Sequence, residues 1–410
     1  MVKGRSHKHT DPASLPNDKI TVCAECMEDE FFKEFIRAFA TEPRCSYCDS
    51  GDGRTPIAAP FDELFERIYE GVTSEYNDAA DEPVPYESAE GGYQLPTMGN
   101  HELLFEVGFY AGNDDLHDRI AQALPAHAWI RRNPLSLSEE DRLIIGWEGF
   151  SKLVKHRVRY LMFPENAATE SEAVAPTEII DALGNLVREQ GLVTTIPKGT
   201  LLYRVRVHEP GLILTTTAEL GAPPGEAARF SNRMSPAGVS LFYAGLDEGT
   251  AIAETYIRRD GKPAETTIAT FEVTEDLRVL NLVNLPKIPS IFANVEETWT
   301  RPALIFLHGF VADFTEPIDK DGREHVEYVP SQIVTEYFRY RFRDGDGRPV
   351  HGILYPSSRV ADGKACVLFA SHEDFTDDWT FGKPSAVPVK LLTDRIRRVA
   401  ADTTPTDEEE

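Results

Sequence analysis

Two closely spaced cysteine pairs constrain the fold of this chain more than any other feature of its sequence. Cys23 and Cys26 form one C-x2-C pair, and Cys45 and Cys48 form a second pair after 18 intervening residues. Each pair spans a tight turn and presents two sulfurs, so two such turns supply the four corners of a tetrahedral thiolate site. A disulfide framework is disfavoured in a reducing cytoplasm, and the occurrence of two pairs at ribbon spacing disfavours a redox C-x2-C. The spacing predicts a zinc ribbon whose ion is structural, because no coordination position stays open.

The residues that follow have the apolar periodicity of helices. Apolar side chains recur at helical intervals over residues 29–40 and again over residues 61–76. A longer helix is predicted from Ser138 to Phe163, with a capping box at its start and one continuous apolar stripe. We interpret the basic cluster on its other face as solvent-exposed: Lys152, Lys155, His156, Arg157 and Arg159.

From residue 196 the sequence consists of short β-rich runs separated by glycine and proline, with helices predicted near 248–258 and 331–341. This pattern is typical of a mixed α+β domain. The predicted segments are a disordered leader at 1–18, a zinc ribbon at 19–60, a helical module at 61–165, a linker and helix at 166–197, a C-terminal domain at 198–395 and an acidic tail at 396–410.

Charge and hydropathy exclude several classes of function. The formal net charge of −26 disfavours nucleic-acid binding, because an acidic surface repels phosphate backbones. No stretch approaches the roughly 18 consecutive apolar residues of a membrane span. The first residues also lack the apolar core of a secretory signal. We therefore expect a cytoplasmic protein without a membrane segment.

Two arginines in the C-terminal half are candidate anion ligands. Arg204 lies within the predicted strand LLYRVRV, on the face opposite its neighbours Tyr203 and Val205. An arginine in that position must reach solvent or hold an anion, and its planar fork suits a diphosphate. Arg233 lies in the turn-rich segment RMSPAG.

Tyr243, Glu254 and Ser331 are three further candidate site residues. Tyr243 lies at the end of a predicted strand, and Asp247 is a predicted N-cap of the helix that carries Glu254. Ser331 lies in the segment Pro-Ser-Gln at the start of another helix. Taken singly, each has a simpler structural interpretation: Tyr243 as a core residue, Glu254 as a surface carboxylate and Ser331 as an N-cap.

The order of these segments resembles the RES-domain family. The segments are YR, RMSPAG, FYAG, TAIAE, PSQ and GILYPSSR before KACVLF. The cysteine pairs and the helix WEGFSKLVKHRVRYLMF resemble the HEPN/RES N-terminal module that precedes RES in longer members. The resemblance covers roughly residues 20–160 and 198–372. It implies that residues 198–395 form a catalytic domain similar to ADP-ribosyltransferases, and that the protein is a toxin that degrades NAD.

The resemblance also implies roles for individual residues. Cleavage of NAD between nicotinamide and ribose passes through a positively charged sugar, which Glu254 would stabilise. Arg204 and Arg233 would clamp the diphosphate, Tyr243 would stack on nicotinamide, and Ser331 would add a small donor near a helix N-terminus. The predicted catalytic residues are Arg204, Tyr243, Glu254 and Ser331; the predicted NAD-binding residues are Tyr203, Arg204, Arg233, Tyr243 and Ser331; and the predicted zinc ligands are Cys23, Cys26, Cys45 and Cys48.

Several alternatives stay open at this point. Arg229 competes with Arg233 for the second-arginine role, and Ser357 and Ser358 compete with Ser331 for the serine. The acceptor is water, phosphate or, in a protein ADP-ribosyltransferase, a protein side chain. A different class is an adaptor or nucleic-acid-binding protein on an inactive RES scaffold. NAD, phosphate, an antitoxin or regulatory protein and a second copy of the chain are the expected partners.

Two other possible sites are disfavoured. The helix around His156 has no arginine at the spacing that HEPN ribonucleases use, which argues against a ribonuclease role for the N-terminal half. The fifth cysteine, Cys366, lies in the apolar run KACVLF and is expected to be buried.

Overall fold

The structure, a computed structural model, describes residues 20–48, 50–160, 172–255, 265–294, 298–318, 322–375 and 387–400. The chain divides into two compact units. Unit 1 comprises Met1–Ser138 and Ile288–Pro302, and unit 2 comprises Glu139–Lys287 and Ala303–Glu410. The predicted leader lies outside the described residues, as does the acidic tail from residue 401 onward.

Unit 1 combines four helices with short paired strands in the part of the chain that the structure describes. The helices are α1 (Glu30–Phe39), α2 (Phe61–Glu75), α3 (Asn100–Glu106) and α4 (Asp114–Ala123). The antiparallel pairs are β1 (Thr21–Cys23) with β2 (Ala58–Pro60), β3 (Tyr76–Asp78) with β6 (Trp129–Arg131), and β4 (Tyr86–Glu87) with β5 (Gly92–Tyr93). The helices predicted over residues 29–40 and 61–76 are confirmed by α1 and α2.

Local signals in the sequence explain where α1 begins and which face it buries. The Asp29 carboxylate accepts hydrogen bonds from the backbone N–H groups of Phe31, at 2.7 Å, and Phe32, at 3.4 Å. These N–H groups have no partner within the helix, so the cap satisfies them. Phe32 and Ile36 are one turn apart and are fully buried. The helix therefore packs along the apolar stripe that its sequence predicts.

The segment Ile288–Pro302 completes the core of unit 1. The Phe292 ring lies 4.9 Å from the Phe32 ring and 6.0 Å from the Phe109 ring, measured between centroids. Arg67 donates to the carbonyl oxygen of Phe292 at 2.5 Å. A Cβ on Gly71 of α2 would lie only 2.5 Å from the Phe292 ring, so this contact requires glycine. A piece of chain remote in sequence is thus part of this core.

Replacing Phe292 by alanine is expected to destabilise unit 1 by about 3 to 5 kcal/mol, because a fully buried aromatic ring leaves a cavity. The measurement is urea unfolding followed by far-UV circular dichroism, with amide hydrogen exchange in α1 and α2 to locate the loss. Trp299→Ala is the matched control, since the Trp299 side chain in the same segment is 81% exposed. Equal unfolding midpoints for the two variants would contradict the packing described.

Unit 2 contains the longer helices and all strands of the main sheet. The helices are α5 (Glu139–His156), α6 (Ile179–Glu189), α7 (Thr217–Leu220), α8 (Glu248–Glu254), α9 (Arg301–Thr315, its first two residues grouped with unit 1), α10 (Glu324–Glu327) and α11 (Val329–Glu336), which continues as a π turn over Tyr337–Arg341. The strands are β7 (Val193–Ile196), β8 (Leu201–His208), β9 (Phe242–Gly245), β10 (Glu265–Val273), β11 (Leu277–Asn281), β12 (Gly352–Pro356), β13 (Lys364–Leu368), β14 (Val389–Leu391) and β15 (Arg397–Ala400).

These strands form one nine-stranded mixed sheet. Its order is β14–β10–β8–β9–β13–β12–β11–β7, and β15 also pairs with β10. The pair β11–β12 is parallel, and the other pairs are antiparallel. Helices and a mixed sheet in one unit confirm the predicted α+β fold class.

Alternation along the strands divides the apolar side chains of unit 2 between two faces of the sheet. Tyr243 and Tyr355 face the core that α5, α6, α9 and α11 cover. Phe242, Leu354 and Cys366 face a second core on the opposite side. The burial predicted for Cys366 is confirmed, because its side chain has no exposed surface.

The two units do not follow the predicted segment boundaries. The predicted helical module at 61–165 includes α5, yet α5 groups with unit 2. The physical reason is its apolar stripe, in which Trp147 packs edge-on against Phe310 of α9 with ring centroids 4.9 Å apart. Strands β7 and β15 also extend the sheet beyond the predicted domain at 198–395.

Helix α5 corresponds to the helix predicted over Ser138–Phe163, and it ends at His156. Residues 161–163 lie outside the described residues. Its basic cluster is not wholly a solvated face, since Lys155 Nζ lies 2.9 Å from a carboxylate oxygen of Glu327. Among the described helices, none is long and apolar enough to cross a membrane.

Candidate active site

Strands β8 and β9 separate at the centre of the sheet, and the predicted site residues Arg204 and Tyr243 lie where they separate. The two strands pair only at Tyr203 and Gly245. Beyond that pair, a side-chain hydrogen bond connects the two strands: Arg204 Nη1 donates to the backbone oxygen of Tyr243 at 2.6 Å. Its guanidinium carbon lies 5.1 Å from the centre of the Phe242 ring. A charged side chain therefore bridges two splayed strands.

Arg204 keeps unused hydrogen-bonding capacity in a desolvated place. Its Nε atom is buried and has no hydrogen-bond partner among the described residues. Burial lowers the pKa of Arg204 to about 10, and the nearby charge of Arg206 acts in the same direction. The guanidinium still carries its charge at neutral pH. A buried donor without a hydrogen-bond partner is costly, so this arrangement is unfavourable in the absence of an acceptor.

The face assignments predicted for β8 are confirmed. Tyr203 and Val205 pack with Ala251 and Ile252 of α8. Arg204 lies on the opposite face beside Phe242. Tyr203 is thus half-buried next to the helix that carries the predicted catalytic glutamate.

Tyr243 presents a neutral phenol to the interior. Its hydroxyl lies 2.9 Å from the hydroxyl of Ser235, which is almost completely buried. Burial raises the pKa of Tyr243 to about 12, so the phenol stays protonated at neutral pH. Ser235 was not among the predicted site residues, although it is the serine of the segment RMSPAG.

Glu254 is the last residue of α8, which begins at the predicted N-cap Asp247. The Asp247 carboxylate accepts from the backbone N–H of Thr250 at 2.8 Å. The hydroxyl of Ser357, which follows β12, donates to Glu254 Oε1 at 2.5 Å. That hydroxyl in turn accepts from the backbone N–H groups of Arg359 and Val360, each at 3.2 Å. The carboxylate is therefore held by a serine whose own orientation is fixed.

Two tyrosines share this region with Glu254. Burial raises the pKa of Tyr355 well above its ordinary value, and the charge of Glu254 is the next cause. Burial also raises the pKa of Tyr328, with a smaller contribution from Glu254. Neither tyrosine was predicted from sequence. Both phenols therefore lie within electrostatic range of the Glu254 carboxylate.

Ser331 does not contact Glu254 in the structure. Its hydroxyl lies 2.5 Å from the carbonyl oxygen of Arg233 and 3.0 Å from that of Tyr328. Helix α11 begins at Val329, so Ser331 lies in the first turn and the N-cap interpretation is wrong. Its neighbour Gln332 donates to the carbonyl oxygen of Asn232 at 2.8 Å. The segment Pro-Ser-Gln therefore anchors the loop that carries Arg233.

Arg233 is also engaged by backbone groups. Its Nη1 donates to the carbonyl oxygen of Phe314 at 2.7 Å, and its Nη2 donates to that of Glu316. Its guanidinium carbon lies 5.5 Å from the centre of the Tyr328 ring. Both carbonyls lie at the end of α9, where helix carbonyls lack partners within the helix. The rival Arg229 is exposed.

The four predicted zinc ligands converge in unit 1. The sulfur atoms of Cys23, Cys26, Cys45 and Cys48 all lie within 4.8 Å of one another. Three separations are 3.4, 3.7 and 3.8 Å. A tetrahedron of thiolates around zinc has sulfur–sulfur edges of about 3.8 Å, because each Zn–S bond is about 2.3 Å. The cluster therefore fits a metal ion bound by four thiolates, with no coordination position left open.

Comparisons with known proteins find two domain families in the chain. A family model described as HEPN/RES N-terminal domain 1 matches residues 39–168, and one described as RES domain matches residues 201–385. Neither the curated proteins nor the solved structures contain a match to the chain. A RES domain is consistent with an enzyme that acts on NAD. With the two matches in the predicted order, the chain belongs to the RES-domain family, in the form that carries a HEPN/RES N-terminal domain.

Proposed function

We propose that this protein cleaves the bond between nicotinamide and ribose in NAD and acts as a toxin or defence effector. The observation that carries the proposal is the Glu254 carboxylate, which Ser357 holds beside buried phenols near the gap between β8 and β9. A fixed negative charge in surroundings of low polarity stabilises a developing positive charge more strongly than it would in water. Loss of nicotinamide places that positive charge on the ribose.

The leaving group and the diphosphate require separate contacts. Tyr243, with a neutral phenol, is the proposed stacking partner of the nicotinamide ring, and Tyr203 lines the same gap. Arg204 is the proposed ligand of the diphosphate, because its buried Nε has no partner among the described residues. Arg233 remains a predicted NAD ligand. In its observed position it would have to exchange the carbonyls of Phe314 and Glu316 for phosphate oxygens.

We assign the two serines different roles. Ser357 is the proposed positioning residue for Glu254, because its hydroxyl reaches the carboxylate directly. Ser331, the serine that the family resemblance predicts as catalytic, is proposed to hold the Arg233 loop through its contacts with the backbone. The sequence alone does not decide which serine acts at the site. The hydrogen bonds favour Ser357 as the partner of Glu254 and Ser331 as the anchor of the Arg233 loop.

The two serine variants should therefore differ in kind. Ser357→Ala is expected to lower kcat about tenfold with little change in melting temperature, since it removes one hydrogen bond to a charged group. Ser331→Ala is expected to lower the free energy of unfolding by about 1 to 3 kcal/mol, because it removes the donor from two backbone carbonyls. Steady-state kinetics and thermal melting of both variants check this. The reverse pattern would contradict the assignment. In that pattern Ser331→Ala changes neither kcat nor the melting temperature, and Ser357→Ala is unstable.

The acceptor of the ADP-ribosyl group is the part of the reaction that an experiment must decide. The purified full chain is incubated with NAD, with and without inorganic phosphate, and the products are separated by chromatography. Nicotinamide plus ADP-ribose in plain buffer indicates transfer to water, with a proton released. Nicotinamide plus ADP-ribose-1″-phosphate indicates transfer to phosphate. Intact NAD under both conditions contradicts the proposed function.

We further propose that the four-cysteine cluster holds a structural zinc ion. The donor set, four thiolates at tetrahedral separations, is the one that structural zinc sites use. Cys23 ends β1, Cys26 ends the 3-10 turn that follows, and Cys45 and Cys48 supply the other two sulfurs. Bound zinc would fix this ribbon to α1 and α2 and would take no part in cleavage of NAD.

A further inference from the structure

A groove lies between α5 and α9 in the described part of unit 2, and none of its lining residues is a predicted site residue. Its volume is about 490 Å³, which is within the range of sites that bind small molecules. Ile144 and Trp147 of α5 and Phe306 and Phe310 of α9 supply its apolar side chains. Within each helix these residues are three or four positions apart, so they lie on one face. The groove is therefore a cleft between two apolar helix faces.

Gly309 leaves space in this groove that a side chain would occupy. It lines the groove from the middle of α9, where glycine is less favourable than alanine because its flexible backbone must be ordered. A Cβ at this position would meet no heavy atom within 4 Å outside its own stretch of helix, so no neighbour among the described residues requires glycine. Packing does not explain the glycine, whereas an open groove does. A larger side chain at this position would extend into the cleft.

Ser151 adds a polar group that has no partner. Its Oγ atom is buried and makes no hydrogen bond with any residue that the structure describes. Ser151 lies one turn after Trp147 on α5, and both residues line the groove. A buried hydroxyl without a partner is unfavourable, and a ligand oxygen in the groove would satisfy it.

One end of the groove is cationic. Lys152, Lys155 and His156 line it in the last turns of α5. Residues 149–164 contain no aspartate or glutamate, although the whole chain has a formal net charge of −26. Lys155 is paired with Glu327 at 2.9 Å, whereas Lys152 forms no ion pair with any described residue. The unpaired charge at this end is therefore positive.

The acidic side chains of the groove lie beside Trp147 rather than at the cationic end. Asp313 of α9 accepts a hydrogen bond from Trp147 Nε1 at 2.7 Å, so one of its oxygens is occupied. Glu148 follows Trp147 in the chain and is exposed, one turn before Lys152. A negatively charged group in the groove is therefore favoured only at the end of α5.

We infer that this groove binds a small amphipathic carboxylate. Its apolar body lies against Phe306 and Phe310 in the space that Gly309 leaves, and its carboxylate accepts from Lys152 and Ser151. A carboxylate suits this donor set, because an ammonium group and a hydroxyl group offer separate donors without the planar fork that favours phosphate. Burial of the apolar body drives binding, and the charge sets the orientation of the ligand. Binding at this groove does not depend on cleavage of NAD.

The test uses the purified full chain and decanoate as the probe, with decanol and decylamine as its uncharged and cationic counterparts. Dissociation constants are measured by calorimetry at probe concentrations below micelle formation. The wild type is expected to bind decanoate about tenfold more tightly than either counterpart, because only the carboxylate gains a charged hydrogen bond to Lys152.

Two pairs of variants locate the probe, with the melting temperature measured for each. Gly309→Leu fills the groove and should weaken decanoate binding at least about tenfold without loss of stability, since leucine favours a helix more than glycine does. Ala312→Leu adds the same side chain at an exposed position of α9 outside the groove lining, and it should match the wild type. Lys152→Gln should weaken decanoate about three- to tenfold and leave decanol unchanged. Arg157→Gln removes an exposed charge of the same cluster outside the groove lining, and it should bind decanoate like the wild type.

Absence of decanoate binding to the wild type, or equal affinity for the three probes, would overturn the proposed site. Unchanged affinity in a folded Gly309→Leu protein would place the probe elsewhere and would overturn it as well. A concentration-dependent dimer that Gly309→Leu dissociates, in a protein that binds no decanoate, would assign the groove to a second copy of the chain instead.

Discussion

Replacing Glu254 by glutamine is expected to lower kcat for NAD cleavage by about 10²- to 10³-fold or more. The side chain keeps its shape and can still accept the hydrogen bond from Ser357, but it loses the negative charge that would stabilise the positive ribose. The KM should change little, because the missing interaction belongs to the transition state. The measurement is steady-state release of nicotinamide by wild-type and variant full-length protein.

Glu248→Gln is the matched control for this prediction. Glu248 lies at the other end of α8, where it pairs with Arg397, and it is remote from Ser357 along the helix. Its variant should retain wild-type kcat. Full activity of Glu254→Gln with an unchanged melting temperature would show that this carboxylate does not stabilise the transition state.

The second large effect concerns the cysteine cluster in unit 1. Cys45→Ala is expected to abolish stoichiometric zinc and to unfold the ribbon, because binding of structural zinc contributes about 10 to 16 kcal/mol in small zinc domains. The wild-type protein should contain one zinc ion per chain, since four thiolates complete one tetrahedral shell. Elemental analysis of the purified proteins, with amide exchange over β1, β2 and α1, measures both consequences.

Cys366→Ala provides the control, because Cys366 lies in β13 of unit 2 and belongs to no cysteine cluster among the described residues. Burial raises the pKa of its thiol to about 12, so it is a poor metal ligand at neutral pH. This variant should keep the zinc and lose only the packing of a buried side chain. Zinc retained in Cys45→Ala, or lost in Cys366→Ala, would refute the assignment.

Elements with strong local signals could be predicted from the sequence. The spacing of the cysteines predicted their convergence, and the cap at Asp247 predicted where α8 begins. Strand alternation also placed Arg204 opposite Tyr203. In each case the information lies within a few residues of chain, where local geometry decides the outcome.

Contacts between remote segments could not be predicted in the same way. The sequence offered Ser357 as a rival of Ser331, and only the fold brings Ser357, which follows β12, to Glu254 at the end of α8. The sequence analysis did not predict helix α9. Apolar residues lie on all sides of this helix, which weakens the periodicity that indicates a helix. The place of Phe292 in unit 1 depends likewise on a segment that returns from far along the chain.

The most direct test of the central claim is release of nicotinamide from NAD by the purified full chain in phosphate buffer, measured beside Glu254→Gln. If the gap between β8 and β9 is an NAD-cleaving site, the wild-type protein releases nicotinamide in proportion to the NAD lost, and the variant is slower by at least about two orders of magnitude. Equal loss of NAD with both proteins, or none with the wild type, would contradict that claim.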